Sequence, residues 1–232
     1  AEAFSASMRA YGRYVQFRYL DETGKEVVRV NQVGSRFQVV PPGELQDKGG
    51  ATYFREAMKL RAGQVYVSPV ELNREHGRLE DPPRPVIRLA MPMFGARGER
   101  RGLVIANADH RPLLHQTLLM PKDRRQVAFI ADQRGYYVHH TDERKEFGSP
   151  ANLDTGENVK RDYPKTARAI LSGKAGHAHE RGDVIFYQPV RSPGSSPQRW
   201  VIGRVFTQSR LLAPLRRWAV CSAAAALLAL LV

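Results

Sequence analysis

Arg88 interrupts an otherwise apolar run, PVIRLAMPM (residues 85–93). A cation in such a strand must find a partner or solvent. A guanidinium can grip a carboxylate in bidentate fashion, so Arg88 is the sharpest candidate for contact with an anionic ligand. Two plainer roles stay open for it: an outward-facing arginine, or one closed by an internal salt bridge. His177 and His179, in HAHE, would share one face of a strand because side chains there alternate with period two. With Glu180, or with His139, His140 and Asp142, they could assemble a zinc site. An exposed polar edge strand explains the pair more simply, and no HExxH or CxxC pattern supports a metal. No GxSxG, P-loop or dinucleotide fingerprint is present, and Ser68 precedes a proline with no base near it in sequence. The expectation is therefore no catalytic residue, no metal ligand and no cofactor.

The elements that would position these residues occur in a repeated order. Residues 3–11 read as the end of a helix. YVQFRYLDETGKEVVRVN places two strand-like runs around Asp21-Glu22-Thr23-Gly24, a hairpin signature in which Gly24 supplies a positive φ. Residues 31–50 carry prolines and glycines and read as a long loop. ATYFREAMKL (51–60) is helical, with Tyr53, Phe54, Ala57, Met58 and Leu60 on one apolar face. A short strand QVYVS, a proline-rich loop, the strands PVIRLAMPM and GLVIANAD, and a closing helix HRPLLHQTLLM complete the unit. A second unit repeats the plan. QVAFIADQRGYYVHH is again strand, D-x-x-G turn and strand; RDYPKTARAILSG is helical, with its first turn around Pro164; VIFYQPV and RWVIGRVF are strands. The boundary is expected near Pro121 to Arg125.

Composition narrows the class. The 232 residues suffice for two modest domains, and apolar and charged contents of 42% and 25% are those of a folding chain. The net charge of +13 invites a polyanion partner, but the basic residues are spread along the chain without a nucleic-acid-binding motif. The single cysteine, Cys221, excludes an internal disulfide. It lies in Trp218–Val232, an uncharged apolar run that reads as part of a membrane-spanning helix bordered by Arg216 and Arg217. A buried terminal helix of a soluble protein is the alternative.

The order of hairpin YVQFRYLDETGKEVVRVN, helix ATYFREAMKL, VYVSPVELNREHG, PVIRLAMPM and GLVIANAD resembles the double-PDC (double Cache-like) sensor regions of bacterial membrane histidine kinases and diguanylate cyclases. YVSPVELN, PVIR and the G-x-x-x-x-N-x-D strand are its specific part. The resemblance implies an α+β, PAS-like fold of two tandem modules, each a central antiparallel sheet flanked by helices. It divides the chain into the end of an N-terminal helix (1–11), a membrane-distal module (12–120), a membrane-proximal module (121–207) and a C-terminal helix entering the membrane (208–232). By analogy the ligand-lining residues would be Tyr53, Arg55, Tyr66, Ser68, Arg88 and Asn107, with Asp109 a weaker member. Some such receptors place an amine-binding Asp where this chain has Asn107, a departure that argues against a simple amino-acid ligand. The implied function is the periplasmic ligand-sensing input of an inner-membrane receptor. A sensor histidine kinase of a two-component system is the first reading, and a diguanylate cyclase the second. The implied partners are a small molecule of unassigned identity, with an anion the kind Arg88 would suit, the membrane, and a second copy of the receptor. Nucleic acid is not expected, although a basic polyanion-binding protein stands as the alternative of another class.

Overall fold

The computed structural model describes residues 1–111, 126–191 and 198–208, which fall into two compact units, one built on residues 1–111 and the other on 126–190 and 199–208. The boundary expected near 121–125, the closing helix after His110 and the apolar C-terminal run lie outside the described residues. Among the described residues no helix is long and apolar enough to cross a membrane.

The first unit opens with helix α1 (Glu2–Tyr11), stopped by Gly12 in a left-handed conformation. A seven-stranded antiparallel sheet follows, in the order β3-β2-β1-β9-β8-β4, with β5 also pairing with β8. Its long members are β1 (Tyr14–Leu20), β2 (Glu26–Val33), β8 (Pro85–Phe94) and β9 (Arg100–Asp109). The short ones are β3 (Arg36–Val39), β4 (Tyr66–Val67) and β5 (Glu71–Leu72). The β1–β2 hairpin turns at the expected D-x-x-G: Asp21 Oδ1 accepts from the Thr23 and Lys25 N–H groups, and Gly24 has φ 95°. A side chain at Gly24 would also collide with the backbone of Gly49.

Period-two alternation sends the two faces of β1 to different partners. Phe17 leaves toward α1, whose Phe4 ring lies 5.3 Å away, and Met8 of that helix is fully buried. Leu20 leaves toward the opposite face, where it packs with Ala90, Leu103, Ile105 and with Phe54 and Ala57 of helix α2 (Thr52–Ala57). Both faces of this sheet are therefore covered.

Two expectations change here. Residues 31–50 are not one loop, because Gly34 (φ 60°) turns the chain back and β3 pairs with β2 as an edge strand. Prolines begin only at Pro41, beyond it. The proline-rich stretch after β4 also contains order. Besides β5, it folds a miniature hairpin of β6 (Arg74–Glu75) and β7 (Arg78–Leu79) around His76 and Gly77, both at positive φ. That turn geometry favours a two-residue hairpin.

The second unit is a five-stranded sheet in the order β11-β10-β14-β13-β12. Its strands are β10 (Val127–Asp132), β11 (Tyr137–His140), β12 (Gly176–Glu180), β13 (Asp183–Arg191) and β14 (Arg199–Thr207). The second D-x-x-G turn forms as the first does, with Asp132 Oδ1 accepting from the Arg134 and Tyr136 N–H groups and Gly135 at φ 98°. Phe129, Ala131, Tyr137, Val159, Ile170 and Ile185 form its core. The expected helix around Pro164 is two short ones, α3 (Val159–Asp162) and α4 (Ala167–Ile170). Tyr163 leaves the helical region (φ −128°, ψ 60°) because the residue before a proline clashes with its ring in the α conformation.

Candidate functional site

The face of the first sheet that packs against α2 is apolar at one end and polar at the other. Its apolar end is the Leu20–Ala90–Leu103–Ile105 patch under α2. Its polar end is assembled by register. Gln16 lies opposite both Asn31 and Asn107, Arg18 opposite Arg29, and Arg88 opposite Asn107. Five long polar side chains from four neighbouring strands thus share one surface, and Gln16, Arg18, Arg29, Arg88 and Asn107 are all buried.

Buried charge is tolerable only when paired and hydrogen-bonded. Arg88 Nη1 lies 3.1 Å from Glu71 Oε2, and Nη2 donates to Asn73 Oδ1 at 3.3 Å. Its guanidinium also stands over the Tyr53 ring, 5.3 Å from the centroid. Burial lowers the pKa of Arg88 and the Glu71 carboxylate opposes that effect. Burial likewise raises the Tyr53 phenol. Asn107 donates from Nδ2 to Gln16 Oε1 (2.9 Å) and Asn73 Oδ1 (3.4 Å). Its Oδ1 is buried and accepts no hydrogen bond from the described residues, although the residue is only 1% exposed. Such an orphaned acceptor is uncommon and calls for a donor.

Beside this group lies a second one. Arg18 and Arg29 both pair with Glu26, from 3.3 and 3.2 Å, and both reach Glu75 on the β6–β7 hairpin. Lys48 adds a third cation whose pKa is lowered, first by its own burial and then by Arg18.

The expected lining residues separate into groups. Arg88, Asn107 and Tyr53 come together. Tyr66 packs at the apolar end, against the cluster that includes Ala90 and Phe54. Ser68 is buried, but its hydroxyl accepts from Arg88 N–H at 2.9 Å and donates to the Pro69 carbonyl, so it closes the β4–β8 junction. Arg55 is exposed on α2, and Asp109 pairs with Arg111 at the end of β9. Arg88 faces inward and does close an internal salt bridge. Gln16, Arg18, Arg29, Asn73 and Glu75 were not among the expected residues. For Gln16 and Arg18 the signal was a polar residue in the core phase of β1, where they alternate with Phe17 and Tyr19.

In the second unit, His177 and His179 are exposed on the same face of the edge strand β12, with rings 5.7 Å apart. Glu180 turns to the other face and accepts from Thr166, while His139 Nδ1 contacts Glu146 at 2.6 Å. Among the described residues no three His, Cys, Asp or Glu side chains are grouped to hold a metal. A cavity of about 370 Å³ in this unit is lined by His140, Asp142, Lys145, Asp162, Tyr163 and Glu180 among others. Within it Lys145 bonds both oxygens of Asp162 at 2.7 Å, and Tyr137 Oη donates to the same carboxylate.

The fold has close relatives among solved structures. A domain of a sensory box/GGDEF family protein from Vibrio parahaemolyticus is 25% identical with a TM-score of 0.73, over 87% of this chain and 76% of that one. The extracellular domain of histidine kinase vpHK1S-Z8 is 24% identical with a TM-score of 0.72, over 91% and 75%. The ligand-binding domain of Pseudomonas fluorescens chemoreceptor CtaA, in complex with L-isoleucine, is 16% identical with a TM-score of 0.55, over 89% and 74%. No curated protein matches the sequence. The family model for the bacterial histidine kinase sensor domain matches residues 1–201. The chain belongs to that family, and it is an extracytoplasmic ligand-sensing domain of the kind that histidine kinase and GGDEF-family receptors carry.

Proposed function

We propose that the polar end of the first sheet is the ligand face of a transmembrane receptor, with Arg88 and Asn107 as its recognising pair. One observation carries this reading. Asn107 Oδ1 is a buried acceptor without a partner among the described residues, one strand away from a buried guanidinium. A small molecule bearing both an anionic group and a hydrogen-bond donor would satisfy the two. The anion would replace or share the place of Glu71, whose side chain is 37% exposed and can swing outward. The donor would complete Asn107. The relative that holds L-isoleucine supports a small-molecule ligand on this fold.

The mechanism is a population shift. A ligand that binds one packing of α2 and the 69–84 segment more tightly than another biases the module toward it. The bias passes through residues 208–232 to an output domain across the bacterial inner membrane, within a homodimer. The output is a histidine kinase in the first reading. A diguanylate cyclase is the second, favoured by the GGDEF-family relative. A thermal-shift screen of small carboxylates, amines, purines and metals, repeated on Arg88→Ala and Asn107→Ala, tests the ligand face. A hit that both substitutions leave unchanged would move the binding site elsewhere.

A further inference from the structure

Glu75 sits where a guest would. Its Oε1 accepts from Arg18 Nη2 (2.9 Å), Gln16 Nε2 (3.0 Å) and Asn73 Nδ2 (3.3 Å). Its Oε2 accepts from Gln46 Nε2 (2.5 Å) and Arg29 Nη1 (3.2 Å). Five donors therefore converge on one carboxylate, two of them buried guanidiniums with 3% and 4% exposed side chains. The donors belong to the sheet, to the loop before α2 and to the turn before β6. The carboxylate comes from a two-residue strand that pairs only with β7 in a two-stranded sheet of its own. Without Glu75, Arg18 and Arg29 share the single carboxylate Glu26, with Lys48 beside them. The seat thus requires an anion, and the short hairpin that supplies it pairs with no strand of the main sheet, its His76 N–H reaching only the Gln46 side chain.

We propose that Arg18, Arg29, Gln16 and Gln46 form a binding seat for a small organic carboxylate, that Glu75 is its resident internal occupant, and that an external carboxylate exchanges with Glu75 and releases the β6–β7 hairpin. The proposal rests on the reading of this face as the ligand face and names both the ligand class and the element that moves. Asn73 joins the two groups, since its Oδ1 serves Arg88 and Asn107 while its Nδ2 serves Glu75. Leaving the seat, Glu75 would free one donor of Asn73 and loosen its hold beside Arg88.

The test is chemical rescue. Glu75→Ala should melt several degrees below the natural protein. Sodium acetate or propionate should restore the loss saturably, and equal sodium chloride should not. In the natural protein, saturating propionate should speed amide exchange in residues 74–79 relative to sodium chloride. Equal responses of Glu75→Ala to acetate, propionate and chloride would overturn the seat. Rescue without faster exchange of 74–79 in the natural protein would overturn the exchange. If Glu75→Ala does not fold, Glu75→Gln carries the same titration, and the same two results would overturn the seat and the exchange. Rescue that persists while no Arg88-dependent ligand exists would sink the proposed function and leave the seat. An Arg88-dependent ligand without rescue would do the reverse.

Discussion

Arg88 Nη2 and Asn107 Nδ2 donate to the same atom, Asn73 Oδ1, from 3.3 and 3.4 Å. The two donors face each other across the β8–β9 ladder, and Asn73 reaches them from the segment between β5 and β6. Its own backbone is fixed, because its N–H donates to the Arg84 carbonyl and its carbonyl accepts from Glu80 N–H. The recognising pair is therefore tied by one side chain to the segment that carries Glu75.

Asn73→Ala removes that tie and strips an acceptor from two buried donors. Stranding buried polar groups costs about 1–3 kcal/mol, so a urea titration should show a fall in stability of that order. A change within experimental error would mean that water or another side chain takes over the acceptor role.

The Glu75 carboxylate titrates far below its usual range. Burial pushes its pKa up, but the Arg18 charge, the hydrogen bonds from Gln16 and Gln46, and the Arg29 charge outweigh burial and bring it from 4.5 to about 2. A folded pKa below the unfolded one gives stability that is complete above the unfolded value and lost as pH falls through the folded one. The window is thus between pH 4.5 and about 2, and the contribution is at most about 3 kcal/mol. Unfolding free energies measured across that window should fall more steeply in the natural protein than in Glu75→Gln. Parallel curves would refute the pairing.

Phe54 and Ala57 are the two buried residues by which α2 holds the sheet. Phe54→Ala should destabilise the first unit by about 3–5 kcal/mol, as loss of a buried ring does. It should also weaken any Arg88-dependent ligand, because Tyr53, the ring over Arg88, rides on the same helix. Unchanged affinity would show that Tyr53 does not depend on the seating of α2.

In the second unit a Cβ on Gly203 would collide with the Phe129 ring. Phe129 is 1% exposed and cannot yield easily. Gly203→Ala should therefore cost about 1–3 kcal/mol by overpacking, read as a lowered thermal midpoint. A neutral result would show that the Phe129 ring can move aside.

Much of this fold was legible because its signals are local. Asp21-x-x-Gly24 and Asp132-x-x-Gly135 fix their turns through the aspartate's own side chain, and both hairpins form as read. The strands around Arg88 and Asn107 were readable from their largely apolar runs, PVIRLAMPM and GLVIANAD. The β6–β7 hairpin was not, since two residues per strand cannot display a period. Gln16 and Arg18 were missed for a different reason. β1 is covered on both faces, so Phe17 and Tyr19 advertised one buried side and concealed the other. The partners of Arg88 come from Glu71 and Asn73, which only tertiary folding brings under β8.

The measurement closest to the central claim is isothermal calorimetry of ligands from the carboxylate and amine screen against the natural protein, Arg88→Ala and Asn107→Leu. The expected result is a ligand whose affinity falls at least tenfold in each variant while both remain folded by circular dichroism. A ligand bound equally by all three folded proteins would contradict the assignment of this face as the sensor's recognition site.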